Sequence, residues 1–448
     1  MNQLMSLATL GTSALLMPVA AYIGRGCLEW MDAGTLSQKL RAYFLIVLIG
    51  TLVLGAGAWA IQSWLVLVAG IGAVWVGALV AFYTAGFSLH TMGTMGLNLI
   101  GHRFLYVAFG NIAAWGGLLF ALWYSRSEAS AEMWLVGIFC GFLLSSLSYV
   151  LFDRYAKANA PVHISDQVRR LPFDWWTVFT FVWPQAIIYI LYWIQSQSYR
   201  FVLTSVADIA TVGLFAAGYM ICSVPMQTFE TLFNEFYSPT LFRALKGHDA
   251  EGMTQAWNAY AAAYIPAVML FGAFLAGNAA FMVKLLLGEQ FQTVTSILLW
   301  PALTETFRAI SSVLYQLGLV KLDMSVNVLP VVVGALIAPT LVYLLAPYEP
   351  LLGTALALLA AGVAVLIVVI PLSCRALPVV WPIRRILYAA VLGTPLYLMG
   401  WMMRVVLGEL NDSGAVIALT ISGLLMVGLQ YVMAKSWLRE VLPVVRRV

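Results

Sequence analysis

Charged residues are scarce in this chain. Asp, Glu, Lys and Arg make up 9% of its 448 residues, where an ordinary globular domain carries about 25%, so a surface solvated by water all round is excluded. The 23 Lys and Arg barely outnumber the 19 Asp and Glu, which leaves no cationic face for nucleic acid. No Gly-Lys pair occurs, and without one there is no phosphate-binding loop of the G-x-x-x-x-G-K type to hold ATP. The four cysteines, Cys27, Cys140, Cys222 and Cys374, lie far apart with no C-x-x-C pair; neither a metal centre nor a disulfide framework is expected, and no cofactor is called for. The N-terminus lacks the basic start and small-residue cleavage site of a removable signal, so its first apolar run is expected to stay in the membrane.

What fills the sequence instead is apolar. Hydrophobic residues reach 62% and fall in runs of about 18 or more, the length that carries an α-helix across roughly 30 Å of hydrocarbon. The pattern predicts an all-α polytopic membrane protein with thirteen spanning helices, at 4–24, 44–61, 64–87, 104–124, 133–152, 175–194, 212–232, 259–286, 294–317, 326–345, 351–372, 386–403 and 415–433. In the third of these, weak polarity continues through His90 and Asn98 to Ile100, and Gly86, Gly93 and Gly96 are expected to let a long helix bend or end early.

Sorting Lys and Arg into alternate loops gives orientation, because cytoplasmic loops retain positive charge. Eighteen fall on one side, from Arg25 and Lys39 to Arg446 and Arg447, against Arg126, Arg200, Lys284 and Arg404 on the other; Arg308 alone lies inside a span. The C-terminus is therefore expected in the cytoplasm and Met1 outside.

An internal repeat organises the chain. The segment Asp32-Ala-Gly-Thr-Leu-Ser-Gln-Lys-Leu-Arg-Ala-Tyr43 and the segment Asp249-Ala-Glu-Gly-Met-Thr-Gln-Ala-Trp-Asn-Ala-Tyr260 share five of twelve residues at a constant offset of 217. Both sit in loops of the same order, which points to two homologous six-helix lobes in a parallel repeat, a common plan for secondary transporters. In this register the N-terminal lobe lacks a counterpart of the C-terminal lobe's first helix. The expected divisions are an N-terminal lobe at 1–153, a polar cytoplasmic linker at 154–173, a C-terminal lobe at 174–374, and two additional helices with a cytoplasmic tail at 375–448.

At Tyr199-Arg-Phe-Val-Leu203 and Ala207-Asp-Ile-Ala-Thr-Val-Gly-Leu-Phe-Ala-Ala-Gly-Tyr219, and again at Leu286-Leu-Gly-Glu-Gln-Phe291 leading to Tyr315-Gln-Leu-Gly318, the sequence resembles the polysaccharide transporter family of the multidrug/oligosaccharidyl-lipid/polysaccharide exporter superfamily. It departs from the family at Tyr199, where Asp is usual, and at Thr204, where Gly is usual. The resemblance implies a flippase that moves undecaprenyl-diphosphate-linked sugar units across a bacterial inner membrane by alternating access of two lobes, for O-antigen or exopolysaccharide synthesis. It implies a lipid-linked oligosaccharide as substrate, membrane lipids around it, and a polysaccharide polymerase or chain-length regulator as partner. A drug or cation antiporter of the same superfamily is the alternative. A membrane polymerase or glycosyltransferase would need a catalytic group in a sizeable outer loop, and every outer loop here is about a dozen residues or shorter, so the chain is not read as an enzyme.

Charges inside the membrane mark candidate sites, since each costs about 2.5–3.5 kcal/mol at mid-helix. Glu305 and Arg308 lie three apart and share one helical face. Either Arg308 meets phosphate or sugar while Glu305 holds it in place or takes up a proton, or the two form an ion pair that locks helices together. Glu230 and Glu235 are candidates for proton or cation coupling, with solvated helix ends as the bland reading. His90 is a further proton candidate, against a packed histidine in a small polar pocket. Arg200 matches the family's Arg and is placed with Asp208 at the outer loop, either greeting the head group or snorkelling to the interface. The Trp and Tyr residues near span ends, such as Trp123, Trp175 and Trp176, read as interfacial belts.

Overall fold

The structure is a computed structural model that describes residues 2–65, 72–124, 126, 131–159, 175–245, 250–321, 323–376, 380–407 and 412–445. Among these every regular element is helical, as the composition requires, because in hydrocarbon a lone segment satisfies its backbone polar groups only by coiling on itself. Eleven helices are long and apolar enough to cross a membrane. They overlap eleven of the thirteen expected spans, the third displaced from 64–87 to Ala73–Leu99, and the other two are helical as well. The expected span at 4–24 is divided between α1 (Asn2–Leu15) and α2 (Met17–Asp32). Pro18 lies at the start of α2, and the chain stays hydrogen-bonded through the break, Leu16 N–H to Thr12 O at 2.9 Å and Ala20 N–H to Leu16 O at 3.0 Å. The expected span at 294–317 becomes α12 (Leu299–Lys321), preceded by 3₁₀ turns over Glu289–Ser296.

The chain divides into two compact units, Met1–Ile190 and Leu191–Val448. The first holds α1 and α2, α3 (Leu36–Leu65), α4 (Ala73–Leu99), α5 (Arg103–Asn111) running through a π-turn at Ile112–Gly116 into α6 (Gly117–Tyr124), then α7 (Ala131–Ser145), α8 (Leu147–Ala158) and the start of α9 (Trp175–Val206). The expected early end of α4 needs correction: the helix runs unbroken past His90 to Leu99, and its glycines serve close approach. A Cβ on Gly86 would lie 3.0 Å from the Leu143 backbone nitrogen; one on Gly93 would collide with Ser148 and the Tyr149 backbone, and one on Gly96 with the Phe152 ring. Gly137 and Gly141 of α7 do the same against Ala121 and Gly117. Without a hydrophobic force between helices in lipid, such small-residue contacts are what brings them together. Most of the expected linker lies outside the described residues.

The second unit contains the rest of α9, then α10 (Ile209–Leu245), α11 (Ala250–Leu286), α12, α13 (Val328–Leu345), α14 (Pro350–Ala376), α15 (Ile383–Leu407) and α16 (Asp412–Val445). Its core gathers Tyr199, Phe215, Met226, Trp257, Tyr264 and Val313 among others. The two last helices are seated on α11. Gly277 and Gly400 meet backbone to backbone there, and the buried Ser422 hydroxyl donates to Asn278 Oδ1 at 2.7 Å. Outward-facing Leu, Ile, Val and Trp side chains, such as Leu52 on α3 and Leu424 on α16, present the apolar surface that lipid solvates. Trp123, Trp175 and Trp176 are exposed at helix ends, where amphipathic rings sit at the headgroup level.

Candidate functional site

Between α12 and α10 the bonded polar side chains are Glu305, Arg308, Ser312 and Gln316 on α12 and Tyr219, Glu230 and Asn234 on α10. Steps of three, four and eleven keep side chains on one face of a 3.6-residue helix, so each helix carries a polar stripe. The two stripes meet in register, because bonded partners advance together from Tyr219 with Glu305 to Asn234 with Gln316.

At the centre, one guanidinium serves two carboxylates. Arg308 Nε donates to Glu305 Oε2 at 2.7 Å, and Arg308 Nη2 donates to Glu230 Oε2 at 2.8 Å. The outer carboxylate oxygens are also engaged: the Tyr219 hydroxyl donates to Glu305 Oε1, and the Ser312 hydroxyl donates to Glu230 Oε1. Tyr192 of α9 and Tyr264 of α11 complete the surroundings. The contact locks helices together, since Glu230 joins α10 to the Glu305–Arg308 pair of α12. With both carboxylates ionised the cluster carries one uncompensated negative charge, which low dielectric makes costly. Binding a proton or another cation relieves it.

One helical turn further on lies a second, neutral network. Tyr260 of α11 donates to Asn234 Oδ1, and Gln316 Nε2 reaches both the Tyr260 oxygen at 3.1 Å and Asn234 Oδ1 at 3.3 Å. Asn234, Gln316, Ser312, Tyr219 and Tyr264 were not singled out from the sequence. Steps of four, from Glu230 to Asn234 and from Arg308 through Ser312 to Gln316, were the signal that could have found the first three.

The other candidates stand apart from this cluster. Five residues past Glu230 turn Glu235 about 140° around α10; it is half-buried and has an interaction of its own. Arg200 is half-buried; its Nε donates to the Tyr199 hydroxyl at 3.2 Å and its guanidinium lies 5.7 Å from that ring. Tyr199, in the position where the family usually has Asp, is buried and packs on Phe215 and Tyr219, so Arg200 leans on the aromatic layer behind the cluster. Asp208 caps α10, accepting the Thr211 N–H at 2.6 Å, and its bonds to Thr211 hold its carboxyl below the usual range. His90 belongs to the first unit. Its Nδ1 is 2.7 Å from Ser145 Oγ, which itself donates to Phe109 O at 2.7 Å. A hydroxyl has one proton to give, so Nδ1 is the donor and Nε2 is left as the basic nitrogen. No group of three or more His, Cys, Asp or Glu able to hold a metal occurs among the described residues.

Comparison with known proteins agrees with this architecture. Residues 162–296 match a family described as polysaccharide biosynthesis protein. No curated protein matches the chain in sequence. Among solved structures, the lipid II flippase MurJ in its inward closed conformation superposes with a TM-score of 0.57 at 13% identity, covering 98% of this chain and 94% of its own. The eukaryotic MATE transporter AtDTX14 gives 0.58 at 13% identity over 93% and 87%, and the Vibrio cholerae MATE transporter VcmN in its bent form gives 0.57 at 14% identity over 83% and 86%. Those solved structures are transporters and a flippase, and the chain has their fold.

Proposed function

We propose that this protein is a flippase that moves a polyprenyl-diphosphate-linked oligosaccharide across the inner membrane of a bacterium by alternating access, feeding surface polysaccharide synthesis. The observation that carries this reading is the arginine held at mid-span between two carboxylates, Glu230–Arg308–Glu305. Hydrocarbon cannot solvate a diphosphate, and a buried guanidinium offers the bidentate geometry that phosphate oxygens take. The match to a polysaccharide biosynthesis family over 162–296 and the likeness to a lipid flippase over nearly the whole chain support it. Within this reading Arg308 meets the diphosphate and Glu305 holds Arg308 in place. Glu230 couples transport to a proton, with Glu235 and His90 as further coupling candidates, and Arg200 serves at the outer loop. The C-terminus lies in the cytoplasm, and a polymerase or chain-length regulator receives the product.

One observation favours a second reading. The cluster's excess negative charge suits a cationic substrate, and the MATE transporters superpose as well as the flippase. Deleting the gene and quantifying lipid-linked oligosaccharide separates the two. Accumulation that the intact gene relieves and Arg308→Ala does not supports the flippase; no accumulation, with new sensitivity to cationic drugs, supports the antiporter.

A further inference from the structure

The two carboxylates around Arg308 are not equivalent. The Glu305 side chain is 2% exposed and that of Glu230 10%, while Arg308 is 18% exposed. Glu305 is sealed beneath the Tyr219 hydroxyl on one side and Arg308 Nε on the other. Were it to become an acid, its proton would find the Tyr219 oxygen as acceptor, and Tyr219 would have to surrender the bond it now makes.

Glu230 is better supplied. Its outer oxygen faces the Ser312 hydroxyl, and a serine in mid-helix can turn its own proton back to the carbonyl four residues earlier, here that of Arg308, and so become an acceptor. Thr304, Thr306 and Ser311 of the same helix already bond in that way. The Tyr264 hydroxyl also lies beside the Glu230 carboxylate and is buried; a hydroxyl both donates and accepts, so it can turn from donor to the carboxylate into acceptor of the acid's proton. The titratable and charged groups facing Glu230 are Arg308 and Glu305 from α12, Tyr260 and Tyr264 from α11, and Tyr192 from α9. Arg308 is the cation among them, and Glu305 already claims it.

We infer that Glu230 is the member of the pair that takes up the proton, and that its protonation frees Arg308 Nη2 to bind an anionic phosphate group, so that a proton and a diphosphate bind to this site together. The balance is simple. Glu230 carboxylate and one proton give the neutral acid, whose O–H turns to Ser312 or Tyr264. The Arg308 Nη2 hydrogen now facing a neutral oxygen is released to a phosphate oxygen, and the cluster goes from one net negative charge to none, removing the repulsion that an anion would meet. Glu305 stays ionised throughout as the fixed counter-ion that aims the guanidinium. This inference rests on the flippase reading for the identity of the anion, and it assigns the switch to one residue.

Binding of inorganic pyrophosphate and of a short-chain polyprenyl diphosphate to the full-length protein in detergent, by calorimetry across a pH series in two buffers of different ionisation enthalpy, tests it. The expected result is affinity that rises up to about tenfold per pH unit as pH falls, with close to one proton taken up per anion, since linkage makes each ligand favour the other. Glu230→Gln should bind at every pH with the affinity of the acidic wild type and take up no proton. Tyr264→Phe combined with Ser312→Ala, which leaves all three charges in place but removes the hydroxyls that donate to the Glu230 carboxylate, should move the pH dependence to higher pH. Pyrophosphate that binds the wild type with no proton uptake, or a pH dependence that survives in Glu230→Gln, overturns the assignment, as does absence of anion binding in both wild type and Glu230→Gln. The cellular accumulation assay judges the parent reading separately: lipid-linked oligosaccharide that accumulates on deletion while binding shows no proton linkage leaves the flippase standing and removes the switch.

Discussion

The two compact units treat buried polarity in different ways. In the first, most inward polar groups are neutral and several end on backbone: the Tyr43 hydroxyl donates to Ser88 O at 3.0 Å, Tyr149 to Leu40 O and Ser145 to Phe109 O. Arg25, which is buried, pairs with Glu29 near the end of α2. In the second unit a central set of mid-helix groups bonds side chain to side chain, and three of them carry charge. The contrast is sharpest at Tyr43 and Tyr260, which hold the same place in the two matched twelve-residue segments and are both buried near the start of a long helix. Tyr43 bonds a helical carbonyl; Tyr260 bonds the Asn234 side chain. A backbone carbonyl already in a helix cannot change its state, so that contact only fixes helices. A carboxylate or an amide can exchange partners, and a unit built on them can respond to a ligand.

The largest test of this difference is removal of the shared cation. Arg308→Ala leaves Glu230 and Glu305 buried with no counter-ion, and it should destabilise the protein by about 3–5 kcal/mol. The triple change Arg308→Met, Glu230→Gln, Glu305→Gln should recover most of that loss, because it leaves no buried charge unpaired. Thermal unfolding in detergent measures both. A loss under about 1 kcal/mol for Arg308→Ala would mean that the charges are already screened and that the second unit differs little from the first.

The first unit is expected to break by sterics instead. Gly93→Ala drives a methyl group into Ser148 and the Tyr149 backbone, and overpacking of this kind costs about 1–3 kcal/mol. Gly57→Ala, where a Cβ meets nothing within 4 Å, should be neutral or stabilising by up to about 1 kcal/mol, since alanine is the better helix former. Equal effects at the two sites would show that α4 does not depend on close approach to α7 and α8.

The same contrast explains what was legible in the sequence. Hydrophobic runs located the helices because span length is set by the bilayer, and Glu305 with Arg308 was readable because three residues on one helix fix their proximity. The third member, Glu230, sits 78 positions away from Arg308, and only helix packing brings it there. The close contacts of the α4 glycines were not legible for a related reason. Glycine in a helix is ambiguous between bending and close contact, and the neighbour that decides, α7–α8, is some fifty residues distant in sequence.

A smaller difference is expected at the matched tyrosines. Tyr43→Phe frees a carbonyl that keeps its helical bond, so its cost should be near 0.5 kcal/mol. Tyr260→Phe removes the donor of Asn234 and an acceptor of Gln316 together, and should approach about 1.5 kcal/mol. A double-mutant cycle with Gln316→Leu should show coupling for Tyr260 and none for Tyr43.

The smallest expected effect is the most pointed, because His90 is the group through which the first unit could carry a proton after all. Since Ser145 spends its hydroxyl proton on Phe109 O, His90 must hold Ser145 through a protonated Nδ1. The side-chain amide of Asn places a nitrogen donor close to where Nδ1 lies. His90→Asn should therefore keep that bond and change stability by less than about 0.5 kcal/mol, whereas it removes the basic nitrogen entirely. If the first unit is a scaffold, transport in vesicles should keep its pH profile in His90→Asn and lose it in Glu230→Gln. A profile flattened by His90→Asn while stability is unchanged would move proton coupling into the first unit, because loss of the ring's edge contact with Phe142 would register in stability and loss of the titratable Nε2 in the pH profile.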